Sequence, residues 1–347
     1  MTAFWRFPQA AAAGEAPDWV QPFLTLDAEW QAGRATGHTS GSTGAPKAFH
    51  FNPDAVRASA QATAVHFGLN GFTEADVQAW SALPASGVGG RMMWWRTRVL
   101  GWSLTQNRPS ATPDVPPTGD GRRYDFAVAT PQQAAYLAKT GQLSAFNALL
   151  LGGGGLSPSL ETALMDAGQA ANCNLHMGFG MTETLTHIAT RPLGNPMYRP
   201  LPGVAWSVGP DGSLVLDIPE RNVHALHTRD AVAPATDAHG NRGFQWLGRL
   251  DDVINTGGIK VHPAQLEQTL EPHVAPLLEG RRWQVAGRPH PTTGEQVLLM
   301  VEGQADPELA AQLLQAISAG HPHPDRPRDV VWTDRFEETA TGKVRRH

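Results

Sequence analysis

Thr39, Ser40, Ser42 and Thr43 surround Gly41 and Gly44, and Lys47 follows closely. These are the parts of a phosphate cradle: backbone N–H groups that aim at oxygen, glycines that admit close approach, and a lysine for charge. The spacing departs from the common nucleotide loop, G-x-x-x-x-G-K-[ST]. The gap from Gly41 to Gly44 is too short, Ala45-Pro46 separates Gly44 from Lys47, and no Ser or Thr follows the lysine to bind magnesium. A simple NTPase loop is therefore disfavoured. By composition alone the stretch reads equally as a flexible Gly/Ser/Thr linker. Other chemistry-bearing residues stand beside glycines and turns: Glu183 after "GFGMT", Asp230 in "LHTRDAV", Arg249 and Asp251 in "GRLDD", and Lys343 in "TATGKVRR".

Such residues need elements to hold them. Asn52 can cap a helix and Pro53 suits its first position, so a helix starts soon after the glycine-rich stretch. "VQAWSALP" predicts a strand, and "GRMMWWRTRVLGWSL" predicts a buried helix with Arg91 at its start. "YDFAVATPQQAAYLAKTG" predicts a strand and a helix opened by Pro131. "FNALLLGGGGLSPSLETALMDAG" repeats strand, glycine turn and helix. "NLHMGFGMTETLTHIA" predicts a further strand, a turn, and a helix carrying His187. This alternation implies an α/β fold with layered, mostly parallel sheets. The opening 36 residues carry little signal. After about Leu193 hairpins and short strands imply a β subdomain, and the tail reads as mixed α+β. The expected division is a large N-terminal domain, 1–249, and a small α+β C-terminal domain, 250–347.

The 347 residues have room for both domains. A net charge of −5 argues against general nucleic-acid binding, which wants a basic surface. The single cysteine, Cys173, leaves no internal disulfide or cysteine zinc cluster and points to a reducing cytoplasm. No apolar run approaches the roughly 20 residues that span a bilayer, so no membrane insertion is expected. The start has an alanine run but no signal-peptide pattern.

"TSGSTGAPK" resembles the nucleotide loop of the adenylate-forming enzymes: acyl- and aryl-CoA synthetases, luciferases and peptide-synthetase adenylation domains. Further segments resemble that family in the same order: "GFGMTE", "LHTRDAV", "GRLDDVINTGGIKVHPAQLE" and "TATGKVRR". The five run from residue 39 to 346, nearly the whole chain. The resemblance implies a reaction in two halves. A carboxylate attacks the α-phosphate of ATP to give acyl-AMP and pyrophosphate; a thiol, usually coenzyme A, then displaces AMP. Charge must be neutralised in both, which is work for placed cations and N–H donors.

The resemblance assigns residues. Thr39, Ser40, Gly41, Ser42, Thr43, Gly44 and Lys47 would hold the β- and γ-phosphates. Gly154, Phe179 and Gly180 would line the nucleotide site, with Phe179 stacked on adenine. Thr182 would touch the α-phosphate, and Glu183 would hold Mg2+, a hard cation suited to carboxylate oxygen. Asp230 and Arg249 would take the ribose. Lys343 would bridge carboxylate and α-phosphate in the first half-reaction. Asp251 would be the hinge about which a mobile small domain swings, and Gly257 and Gly258 would let coenzyme A pass. Read without the family, Lys343 is an exposed lysine, and Asp251, Gly257 and Gly258 are turn residues.

The chain departs from the family in places. Members carry about a hundred or more residues before the loop, which here starts at residue 39. The resemblance thus implies a compact member shortened at its start. Arg229 stands where glycine is usual before Asp230, and the terminal motif lacks a common proline. "LPASGVGGRMMWWRTRVLGW" has no histidine where many members place a gate to the acyl pocket. That segment, "GMTETLTHIATRPLG" and the hinge motif look most like the short o-succinylbenzoate–CoA ligases of menaquinone biosynthesis. Their substrate has a second carboxylate, which needs a cation or N–H donors. Arg91 and His187 are candidates for that role; a structural ion pair and a core histidine are the alternatives. Another aryl or acyl acid–CoA ligase stays open, as does an inactive binding protein. The last is disfavoured because Lys47, Glu183, Asp230, Arg249 and Lys343 are all retained.

Overall fold

A computed structural model describes residues 3–7, 16–38, 48–71 and 76–337. The first part supplies β1 (Phe4–Phe7), α1 (Gln21–Gln31), β2 (Ala35–His38), β3 (Ala48–Phe51), α2 (Pro53–His66), β4 (Gln78–Ser81), α3 (Val88–Leu100), β5 (Ser103–Asn107), β6 (Phe126–Ala129), α4 (Pro131–Lys139), β7 (Ala148–Leu151), α5 (Pro158–Ala170) and β8 (Asn174–Gly180). Then come β9 (His187–Pro192), β10 (Met197–Pro200), β11 (Ala205–Val208), β12 (Ser213–Ile218), β13 (Val223–Thr236) and β14 (Arg242–Arg249). Last are β15 (Ile254–Thr256), β16 (Ile259–Val261), α6 (Pro263–Leu278), β17 (Trp283–His290), β18 (Gly294–Glu302), α7 (Pro307–Gly320) and β19 (Val330–Thr333).

Local chemistry fixes the helix starts. Asn52 accepts from the Asp54 amide at 2.9 Å, Thr130 and Gln133 form a reciprocal capping box, and Ser157 caps α5. Pro53, Pro131 and Pro158 fill the first helical positions, where no N–H is missed.

One sheet of 12 strands runs β1-β5-β4-β6-β7-β8-β9-β10-β14-β13-β12-β11. β5, β4, β6, β7 and β8 are parallel; β9 turns the sheet antiparallel. Alternation along the strands assigns the two faces. Phe126, Val128 and Leu150 join a core with Trp94, Trp95 and Val56 from α2 and α3. Ala127, Ala129, Leu149 and Leu151 join a second core with Leu137 and Leu164 from α4 and α5. The tail forms its own five-stranded sheet, and its core, Ile254 to Ile317, is shared with neither. A hydrogen bond from the Ser159 amide to Glu271 links α5 to α6 at 3.0 Å.

Two expectations change. The opening 36 residues, expected to be irregular, include regular elements where they are described: β1 pairs with β5, and α1 buries Phe23 and Leu26 beside Trp94. The segment after Glu183 is a strand, not a helix, so His187 begins β9. Thr186, Ile188 and Thr190 are β-branched, which favours the pleated sheet over the helix.

Candidate active site

β6 and β7 end level, with Ala129 opposite Leu151, while β8 runs on past Met177, the partner of Leu151, to Gly180. Their carboxyl ends release three neighbouring loops, the usual place for a ligand in an α/β sheet. The first is the Thr130 cap of α4. The second is the exposed turn with Gly154, and the third is Gly180 to Glu183.

Gly180 is required by space. A Cβ there would lie 2.0 Å from the Thr186 carbonyl oxygen, and the β8–β9 register shifts between Phe179 and Gly180. The chain then makes a short 3-10 turn, Thr182–Thr184. Thr184 Oγ1 accepts from the Met181 amide at 3.2 Å and donates to the Thr186 carbonyl at 2.9 Å. Leu185 follows in a left-handed conformation, φ 71°, costly for a branched residue and held by its burial. The turn leaves Glu183 exposed and Thr182 half-buried. Phe179 packs edge-on against Tyr198 and Phe244, 5.5 and 5.4 Å between centroids.

Asp230 and Arg249 are brought together as cross-strand partners of β13 and β14. The buried Asp230 carboxylate accepts from Trp246 Nε1 at 2.9 Å and Arg249 Nη1 at 3.3 Å. Arg249 also reaches Asp251 at 3.6 Å. Arg229 pairs with Asp251, and that hydrogen bond holds the Asp251 carboxyl below the usual carboxylate range. Asp251 itself sits in the 3-10 turn Leu250–Asp252, between the large sheet and the tail. Gly257 and Gly258 form the β15–β16 turn with φ of 59° and 84°. Thr39, Ser40, Gly41, Ser42, Thr43, Gly44, Lys47 and Lys343 lie outside the described residues.

Behind the Gly180–His187 turn lies a buried cationic cluster that the sequence did not announce. Arg96 on α3 is 2% exposed; Arg221, in a 3-10 turn Pro219–Arg221, is 5% exposed. Arg96 lies over the Phe126 ring and donates to Met93 Sδ at 3.6 Å. Arg221 donates to the carbonyls of Thr184 and His187 at 3.4 and 3.3 Å. Among the described residues neither forms an ion pair, and Arg96 Nε, Arg221 Nη2 and Ser59 Oγ are buried without partners. Burial pushes Arg96 down to about 9 and Arg221 to about 10. Burial, then the charges of Arg96 and Arg221, hold His187 well below the ordinary histidine range. His187 is 3.4 Å from Thr63 Oγ1 on α2. Arg91 is placed otherwise: it donates to the Thr36 carbonyl at 2.7 Å and has Glu29 at 4.0 Å.

The family model for AMP-binding enzymes matches residues 35–224. The chain belongs to the AMP-binding enzyme family. A probable 2-succinylbenzoate–CoA ligase of Mycobacterium tuberculosis is 30% identical over 68% of this chain and 63% of its own length. A 4-coumarate–CoA ligase of Halorhodospira halophila is 28% identical over 92% of this chain and 77% of that protein. A 3,4-dihydroxybenzoate–[aryl-carrier protein] ligase of Bacillus anthracis is 30% identical, but the match spans 44% of this chain and 34% of that protein. Among solved structures, an acyl-CoA synthetase (AMP-forming)/AMP-acid ligase II-like protein from Dyadobacter fermentans aligns over 98% of this chain and 97% of its own, at 26% identity and a TM-score of 0.62. The o-succinylbenzoate coenzyme A synthetase of Bacillus subtilis, in complex with ATP and magnesium ion, shares the fold at 20% identity and a TM-score of 0.69, over 90% of this chain and 68% of that one.

The loops at the carboxyl ends of β6, β7 and β8 fall inside the family match, as do Arg96 and Arg221. Arg96 had one sequence signal: a charge inside the apolar run "MMWWRTR". Arg221 had none, since "PERN" reads as an ordinary surface turn.

Proposed function

We propose that the chain is an ATP-dependent acid–CoA ligase for an acid with a second anionic group, o-succinylbenzoate being the best-supported choice. The observation that carries this reading is the pair Arg96 and Arg221: two buried guanidiniums that form no ion pair among the described residues. A buried charge without a counter-charge is costly, and an anionic arm of the substrate would offset that cost. Arg91 suits the role less well because Glu29 already answers its charge.

In the first half-reaction the substrate carboxylate would attack the ATP α-phosphate, forming a C–O–P link and releasing pyrophosphate. In the second, the CoA thiolate would attack the acyl carbon, forming a thioester and releasing AMP. Thr182 and Glu183 stand at the strand end where the α-phosphate would lie, with Gly154 and Phe179 beside them. The exposed Glu183 carboxylate is a fitting ligand for Mg2+, which would neutralise phosphate charge when bound. Asp230 and Arg249 would hold the ribose, and the Thr39–Lys47 loop the outer phosphates. Lys343 would reach the reacting carboxylate. Residues 250–347 would form the mobile domain, hinged at Asp251, with Gly257 and Gly258 near coenzyme A.

The test is pyrophosphate release across a panel of carboxylic acids, with and without coenzyme A. A strong preference for the aromatic diacid is expected; equal or better turnover of a benzoate lacking the second arm would reject the substrate. A simple aryl acid is the second reading, favoured by the extent of the 4-coumarate–CoA ligase match.

A further inference from the structure

After α7 the chain reads His321-Pro322-His323-Pro324-Asp325, and the three non-proline side chains converge. His321 Nε2 and His323 Nδ1 both lie on one oxygen of Asp325, at 2.7 and 2.8 Å. All three potential ligand atoms are within 4.8 Å of one another. We propose that His321, His323 and Asp325 form a binding site for a borderline divalent metal ion of the zinc type, separate from the adenylating centre.

The donor set fits that chemistry. Two imidazole nitrogens and one carboxylate oxygen are a common three-ligand set for Zn2+, with the fourth position left to water. Metal–ligand distances of about 2.0–2.1 Å in a tetrahedron place neighbouring ligand atoms about 3.3 Å apart. The two His–Asp spacings are shorter than that figure and the His–His spacing is within 4.8 Å, so the side chains must spread slightly to admit the ion. To bind the ion, each of these two ring nitrogens must present its lone pair to the metal in place of its contact with Asp325.

The backbone presents the set at low entropic cost. The His321 amide ends α7 by donating to the Ile317 carbonyl at 2.8 Å. Pro322 and Pro324 fix φ on either side of His323, and a turn closed from Arg326 N to the His323 carbonyl at 3.3 Å folds Asp325 back. The site is reachable. His321 and Asp325 line a groove of about 440 Å³ together with Lys260, His262, Gln265 and Thr269. His262 Nδ1 is buried there without a partner among the described residues, a third imidazole lining the same groove.

The test is titration of the intact chain, stripped with chelator, with Zn2+ in a calorimeter and with Co2+ as a spectroscopic probe. One ion per chain is expected, with a rise in unfolding temperature that grows with metal concentration. His323 is 58% exposed, so His323→Ala is expected to leave the metal-free unfolding temperature alone while weakening Zn2+ binding about 10- to 100-fold. His321→Gln with His323→Ala should abolish the stoichiometric event and the Co2+ signal. Unchanged Zn2+ binding in that double variant would overturn the proposal, because the ion would then sit on other histidines. So would the lack of saturable uptake by the unaltered chain at about 100 μM metal, far weaker than a built zinc site. Adenylation activity is not the readout, so failure here is distinct from failure of the ligase reading.

Discussion

Two groups of arginines differ in how their charge is answered. Where β13 pairs with β14, Arg229 is exposed and Arg249 half-buried, and they face Asp251 and Asp230. Beneath the Gly180–His187 turn, Arg96 and Arg221 are buried and bond a thioether and carbonyls, with no ion pair among the described residues; the charge of Glu220 acts on Arg221 without a salt bridge. The first group is electrically complete as it stands. A ligand there must exchange with existing partners, which suits hydroxyl groups that share a carboxylate. The second group is incomplete, and a ligand there supplies what is missing. Interactions in that dry interior are also stronger, since little water screens them.

The largest effect should come from cancelling the unanswered charge. Arg96→Met is expected to lower kcat/KM for the diacid about 100-fold or more, with KM for ATP unchanged. Stability should hold or rise, because no counter-ion is stranded. Equal losses toward acid and ATP would remove the contrast between the two groups. Next comes Asp230→Asn, which keeps an acceptor for Trp246 but leaves Arg249 without its nearer countercharge. KM for ATP should rise about 10- to 100-fold, with the acid KM little changed. An effect on the acid instead would mean that Asp230 serves the acid rather than the nucleotide.

The third effect is on pH. His187, His176 and His66 are all held below the ordinary histidine value of 6.5, chiefly by burial, His176 to about 4. The unfolded chain therefore binds protons first on acidification. Stability is full above pH 6.5 and falls as pH drops below it, by up to about 1.4 kcal/mol per pH unit for each fully buried group. Denaturant midpoints from pH 7.5 to 5 should show this decline, and His187→Gln should flatten it. A flat profile in the unaltered chain would mean that water reaches the cluster. The smallest effect is at the exposed Arg229–Asp251 pair. Arg229→Gly should leave the unfolding temperature where it is at both low and high salt, since an exposed pair is well screened. A clear loss would show that the Arg229–Asp251 contact does more than a surface pair.

The sequence made the frame legible because its devices are local. Caps such as Asn52 and Thr130, helix-opening prolines, and strand–turn–helix alternation needed no tertiary knowledge. The loops holding Gly154, Gly180 and Glu183 followed from those elements. The Arg96–Arg221 pair was not legible in the same way. Its partners come from α2, α3, β9 and a turn at Arg221, separated by over a hundred residues, and burial is what gives the charges meaning. His187 shows a nearer limit. Its alternating β-branched neighbours spoke for a strand, but the turn and polar run before it also suited a helix.

The 12-stranded sheet has a consequence for how the chain opens. Its ladder changes hands at β10, where Met197 and Tyr198 pair with β14 and Arg199 and Pro200 with β9, and the core that holds Leu149 and Leu151 also holds Val232 and Phe244, so the two parts are tied by packing as well as by that strand. Amide protons of β6 and of β13 should become exchangeable with deuterium together, in a single cooperative event. Those of β17 and β18, in a sheet with a core of its own, should follow a separate clock.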